Sequence, residues 1–236
     1  MPKELNFHNA YFEEAIRNAL NIHDRPILDT DAEILEELDC DFWFDQEDCE
    51  TLIAFRNLRI LGINAGAWAL PSISCLSRLE ELYLTGGNDG NGVDFGSFRP
   101  LARLKNLTVS GGLYSSMNLC NLEALAELKN LTNLWLHEFG KVDLKPLEKM
   151  DSLEHLFCGY ADSVENVEVI GKLVHLKSLE LVDFEVDNLE FLDMLPDAVC
   201  LELGGMSIHK DYDLSKLSRF EKLDMYENTV AGKWIP

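Results

Sequence analysis

Basic side chains are scarce in this chain, with 20 Lys and Arg against 42 Asp and Glu and a net charge of −22. Such a field repels phosphate backbones and anionic lipid, so the partners to expect include no nucleic acid and no membrane surface. Long apolar runs are missing too, and the first residues are polar and then amphipathic, without a basic segment leading into an apolar one. The expectation is a cytoplasmic protein. The six cysteines form no Cys-x-x-Cys pair, and Cys40 and Cys158 stand where an inward strand leucine would. Reduced thiols are therefore expected, with disulfides or a structural metal as the lesser alternative. No Gly-rich phosphate loop, His-Glu-x-x-His or Gly-x-Ser-x-Gly occurs, and the six histidines are scattered. The expected protein is not an enzyme, and no cofactor or metal is expected. Acid pairs such as Glu180 with Glu202 could in principle cleave glycosides, but an open face lacks the dry cleft that separates two carboxyl pKa values.

What the sequence has instead is repetition. Runs of the form Leu-x-x-Leu-x-Leu, or close variants, bring a leucine to Leu38, Leu61, Leu82, Leu107, Leu134, Leu156, Leu179, Leu201 and Leu223. A unit of twenty to thirty residues cannot bury its own apolar face and must stack on its neighbours, which yields a solenoid with one extended surface. No Pro/Gly/Ser-rich linker interrupts the series, so one continuous domain is expected.

Within a repeat, Leu119, Leu122, Leu125, Leu128, Leu131 and Leu134 follow in threes, and the step to Leu136 is two. Threes suit tight helical turns, and twos suit a strand with one face buried. Each coil is thus a turn-rich arm feeding a short strand, and the stacked strands pair in parallel. A buried leucine contributes roughly 1.5–3 kcal/mol, so the inward residues of each coil offset much of its ordering entropy.

These repeats resemble those of leucine-rich repeat proteins. The segment from Phe12 to Leu20, then Ile27, Thr30-Asp31-Ala32-Glu33 and Leu35, is similar to the cap that precedes internalin-type repeats in bacteria. Phe12, Ile16, Ala19 and Leu20 share one helical face, and Thr30 with Glu33 has the form of a capping box. The resemblance implies an α/β fold: a right-handed, curved leucine-rich repeat solenoid with a parallel β-sheet on the concave face and short helical turns on the convex one. The expected divisions are a helical cap over 1–34, nine repeats over 35–228 and a short C-terminal cap over 229–236, where Trp234 and Ile235 would cover the last coil. One departure stands out. The position that usually holds a turn-stabilising Asn is filled by Trp43, Gly66, Gly87, Gly112, Phe139, Ala161, Phe184 and Met206, and only at the end by Asn228. None of those eight side chains offers the backbone an amide partner.

The residue between two inward strand leucines points to the open face. That column reads Asp39, Gly62, Tyr83, Thr108, Trp135, Phe157, Glu180, Glu202, Asp224. Aromatics occupy its middle and acids its C-terminal end, with His137, His155 and Tyr160 flanking the first group and Asp183, Tyr226 and Glu227 the second. Glu37 and Asp41 add acid at the other end. Exposed aromatics anchor interfaces at low rotamer cost, and acids around them steer a basic partner. The bland alternative is that the aromatics only pack on one another. Carboxylates about 5 Å apart repel by about 0.8 kcal/mol even in water, which a basic partner or bound cation would relieve. The expected function is therefore a noncatalytic module that binds a protein partner, basic in character, through its concave face. An alternative is an immunity-type inhibitor of a basic toxin or nuclease. A monomer is expected, with self-assembly through the last coil as a further alternative. Two Gly-rich stretches, 86–92 and 110–116, suggest a rim beside the patch. The run Asp89 to Asp94 is similar to a calcium loop but lacks its terminal Glu and full ligand set, so a Gly/Asn turn is the expected reading.

Overall fold

The computed structural model describes residues 2–86, 92–112, 117–197 and 199–235, so the stretch 87–91 that holds most of the calcium-like run, and residues 113–116 of the second loop, lie outside the described residues. Among the described residues the main sheet has nine strands, one per coil: Glu37–Trp43, Ile60–Asn64, Glu81–Gly86, Asn106–Gly111, Asn133–Asp143, His155–Glu165, Ser178–Val182, Cys200–Gly204 and Lys222–Tyr226. Neighbouring coils pair in parallel, and the registers align the repeat leucines row by row, from Leu38 with Leu61 to Leu201 with Leu223. The first eight of these leucines are buried, but Leu223 is 39% exposed. It belongs to the ninth coil, which has no further coil stacked on its outer side.

The threes in the sequence appear as 3₁₀ turns, for example Leu122–Glu127, Lys145–Lys149, Val167–Lys172 and Leu214–Arg219. With three residues per turn, side chains three apart fall on one face, which is how Leu122 and Leu125 reach the core together. In the first two coils the 3₁₀ turn runs on into a short α turn, Cys49–Leu52 and Leu70–Ile73.

The cap is α1, Ala10–Leu20, followed by the single turn α2, Asp29–Ala32. Asn9 caps α1 by accepting from the amides of Tyr11 and Phe12, and Phe12 and Ile16 face the core while Ala19 is exposed. Phe12 meets Phe44 edge-on at 4.9 Å, so the helix closes the aromatic end of the first coil. Asp48, fully buried in that coil, accepts the amides of His8 and Asn9 at 2.8 Å each and thereby ties down the chain just before the helix. The expected Thr30/Glu33 capping box is not formed. Asp31 takes the capping role, accepting from the Leu28 amide at 2.8 Å and from Arg25, because the N-cap falls two residues earlier, at Leu28, and the helical turn begins at Asp29.

Two polar systems hold coil to coil where the usual asparagines are missing. Phe139, Phe184 and Met206 fill their turns with apolar bulk, and Asn228 alone makes the expected bonds, donating to the Leu203 carbonyl at 2.8 Å and accepting from the Met206 amide at 3.0 Å. Elsewhere the amide of Asn57 donates to the Glu33 carbonyl, Asn130 to the Ala102 carbonyl and the Ser152 hydroxyl to the Leu131 carbonyl, each four residues before its coil's leucine. At the entrance to the convex arms, Asn121 donates to Asp94 and Asn166 to Asp143. The second system is a ladder of alternating charge two residues before the strand leucine. Glu36, Arg59, Glu80 and Lys105 pair in succession at 3.4, 3.0 and 2.6 Å, and Glu154 pairs with Lys177 at 2.7 Å. Arg59, Lys105 and Lys177 are thus engaged between coils.

The C-terminus ends in a second, smaller sheet on the flank: Glu185–Val186, Ser207–Ile208 and Asn228–Val230 in parallel, then Lys233–Ile235 antiparallel. Ala231 and Gly232 both have positive φ, 47° and 74°, the geometry of a tight two-residue hairpin turn. Ile235 packs on the core, whereas Trp234 points outward. The expected capping role of Trp234 is corrected accordingly: strand alternation puts its neighbour inward and Trp234 out.

Candidate functional site

Strand alternation gives the open face three columns, fixed by the sheet register. The middle column is the one read from the sequence, and every pair in it, from Asp39 beside Gly62 to Glu202 beside Asp224, is a register pair. Its flanks are Glu37, Ile60, Glu81, Asn106, Asn133, His155, Ser178, Cys200 and Lys222 on one side, and Asn64, Thr85, Ser110, His137, Gly159, Val182, Gly204 and Tyr226 on the other.

Trp135 and Phe157 stack at 5.2 Å with planes only 7° apart. His137 lies against Phe157 at 5.6 Å and Tyr160 against His137 at 4.7 Å, so four rings from two coils form one cluster. Phe157 is a correction to the expected exposed anchor: it is on the open face but only 9% exposed. Trp135 and His137 cover it, and Gly159 makes room, since a Cβ there would sit 3.0 Å from the Phe157 ring. Trp135 remains 40% exposed, and Tyr160 and Tyr83 are comparably open. Tyr83 stands apart, two strands away across Thr108, and its hydroxyl donates to Glu81 at 2.8 Å, which raises the Tyr83 pKa. His155 is level with Asn133 and His137 with Gly159, so the two histidines are four residues apart along the strands, about 13 Å.

The acid row is less bare than its sequence implies. Lys222, in the neighbouring column, lowers the cost of ionising Glu180, and the Tyr226 hydroxyl donates to Glu202 at 3.1 Å. Tyr226 lies flat over Gly204, where a Cβ would collide with its ring, and burial together with the Glu202 bond pushes its pKa up to about 12. Glu180 is half-buried, and burial first, then the charge of Glu202, raise its pKa above the ordinary carboxylate value. Asp224 and Asp183 are exposed, and Asp183 sits at the left-handed turn where its strand ends, φ 54°.

Two shallow depressions run along this face. The first, about 140 Å³, is bounded by Asn133 and Trp135 on one side, His155 and Phe157 behind, and Ser178 and Glu180 on the other. The second, about 50 Å³, adjoins it through Ser178 and Glu180 and reaches Glu202, Lys222 and Asp224. Asn133, Ser178 and Lys222 were not among the residues singled out from the sequence. The period-two rule that picks out the middle column would also have found them, two residues earlier on each strand.

Among the described residues no group of three His, Cys, Asp or Glu could hold a metal ion, and all six cysteines are free. Burial pushes the Cys40 and Cys158 thiols up to about 12, which leaves them unreactive. No helix among the described residues is long and apolar enough to cross a membrane.

A parallel sheet with one strand per coil, 3₁₀ arms opposite and a helical lid define a leucine-rich repeat solenoid with an internalin-type cap. Solved structures agree. Internalin C2 of Listeria monocytogenes matches with a TM-score of 0.74 and 21% identity over 97% of this chain and 97% of that one. Internalin F of the same species gives 0.69 and 22% over 98% of this chain and 73% of that one. The Arabidopsis receptor kinase HAESA, in complex with the peptide hormone IDA and the co-receptor SERK1, gives 0.57 and 16% over 83% of this chain and 35% of that one. No protein-family model matches the sequence.

Proposed function

We propose that the chain is a noncatalytic protein-binding module that docks a basic protein partner on the concave face between Tyr83 and Tyr226. The observation that carries this reading is Trp135: a large ring held rigid by its stack on buried Phe157, yet 40% open to solvent at the centre of the face. An aromatic fixed before binding loses little rotamer freedom when a partner covers it, the condition that makes an interface anchor. His137, His155 and Tyr160 surround it, and Glu180, Asp183, Glu202 and Asp224 with Tyr226 extend an acidic flank that would draw a basic partner. HAESA, with a similar fold, is described in complex with a peptide hormone and a co-receptor, which supports peptide or protein recognition by such a fold. The net charge of −22 argues against nucleic acid and anionic membrane. A monomer in the cytoplasm is the accompanying proposal.

Affinity capture from a lysate of the source organism, with the wild type and a Trp135→Ala, Phe157→Ala double variant, tests the assignment. The wild type should retain partners that the double variant loses by at least about tenfold, as removal of a central aromatic anchor implies. Equal recovery by the two would place the binding surface elsewhere.

A further inference from the structure

The first depression is a side-chain seat. At about 140 Å³ it would hold four or five waters, well short of the several hundred Å³ of a small-molecule pocket. One long side chain of a partner is the size that fits.

Its chemistry narrows the occupant. Asn133 donates its amide to Asn106 at 2.5 Å, which turns its carbonyl oxygen into the free end of the group. Ser178, Glu180 and the ring of His155 add further acceptors around an apolar wall of Trp135 and Phe157. No cation lines this depression, and among the described residues Glu180 makes no hydrogen bond or ion pair. The adjoining depression differs, because Lys222 stands there among Glu202 and Asp224 and Tyr226 already binds Glu202. Glu180 borders both depressions and feels the charge of Lys222, but only at longer range and without an ion pair. The far end of the acid row is thus bonded from within, while Glu180 is left, among the described residues, without a direct partner. A half-buried carboxylate without a direct ion-pair partner gains from receiving one.

Resting on the proposed docking face, we infer that this seat takes an arginine side chain of the partner, its methylenes against Trp135 and Phe157 and its guanidinium on Glu180. Arginine suits the seat better than lysine because its planar, weakly hydrated head offers five donors to several acceptors at once and packs flat on aromatic walls.

The test uses the full chain, ¹⁵N-labelled, titrated by NMR with N-acetyl-Gly-Arg-Gly-amide and with its citrulline and lysine counterparts. The arginine peptide should shift the Trp135 indole N–H and the Ser178 amide saturably. Citrulline, isosteric but uncharged, should bind at least about tenfold more weakly, the loss expected for a hydrogen bond to a charged group. Glu180→Gln should weaken the arginine peptide to a similar degree while amide signals outside the sixth to eighth coils stay in place, which shows that the fold survives. An unmoved Trp135 signal, equal binding of citrulline or lysine, or an unaffected Glu180→Gln variant would each overturn the seat. If the seat fails while the Trp135→Ala, Phe157→Ala variant loses its captured partner, the docking face stands without it. If that double variant also keeps its partner, both fall.

Discussion

In the first four coils the residue four places after the strand leucine is Phe42, Ala65, Gly86 or Gly111, whereas in the last five it is Glu138, Tyr160, Asp183, Gly205 or Glu227, all at φ between 53° and 61°. Four of those five carry a side chain in a conformation that costs roughly 1 kcal/mol, so something must be gained by the bend. The gain is visible in the residues that follow. Phe139, Phe184, Met206 and Asn228 turn inward, and in the last coils the chain goes on to build a flank sheet. In the sixth coil the same bend lays Tyr160 against His137 and so adds a ring to the open face. Among the described residues, Phe42, Ala65 and Gly111 make no such turn; Gly86, at φ 153°, adopts a glycine-only conformation instead, with its Cα pressed so close to Ala65 that a Cβ would clash. One interior pattern therefore supports two kinds of corner, and the rich end of the binding face coincides with the left-handed corners.

The difference between interior and end is the largest effect to test. Leu134, fully buried in the fifth coil, should cost about 2–5 kcal/mol when replaced by alanine, because coils on both sides lose contacts and a cavity remains. Leu223→Ala, in the half-open ninth coil, should cost under about 1.5 kcal/mol. Urea unfolding of the two variants measures both, and equal losses would mean that the last coil is covered as fully as the middle ones.

A smaller contrast sets the charge ladder against the acid row. Hydrogen bonds from Arg59 and Lys105 hold the Glu80 pKa down to about 2, so its contribution is present above the ordinary 4.5 and is lost as pH falls toward 2. Glu180 runs the other way. Its raised pKa means that the fold disfavours its charge, so its penalty is absent below 4.5 and grows as pH rises through the folded value. Carboxyl titration by NMR should place the two groups on opposite sides of 4.5, and Glu80→Gln should flatten the acid limb of the stability curve while Glu180→Gln stabilises the protein near pH 7. Shifts of the same sign in both would break the contrast.

The solenoid was legible in the sequence because threes and twos are direct images of 3₁₀ turns and strands, and the middle column was legible because alternation is strict. The helical face of Phe12 and Ile16 was legible for the same reason. What local pattern could not supply came from neighbours on other coils. Phe157 is covered by Trp135 and His137, and Lys222 offsets Glu180, through contacts that need the register between coils of unequal length. The Glu36–Arg59–Glu80–Lys105 ladder is invisible for the same reason, since its members lie 21 to 25 residues apart. The capping box failed more locally: Thr30 and Glu33 have the right spacing, but Asp31 with Arg25 capped the turn two residues earlier, at Leu28.

Hydrogen exchange of the chain with and without its captured partner tests the central claim most directly. Binding should slow exchange in the strands from Asn133 to Gly204 and leave the 3₁₀ arms Leu122–Glu127 and Val167–Lys172 unchanged. Protection confined to those arms, with the sheet unaffected, would contradict the account.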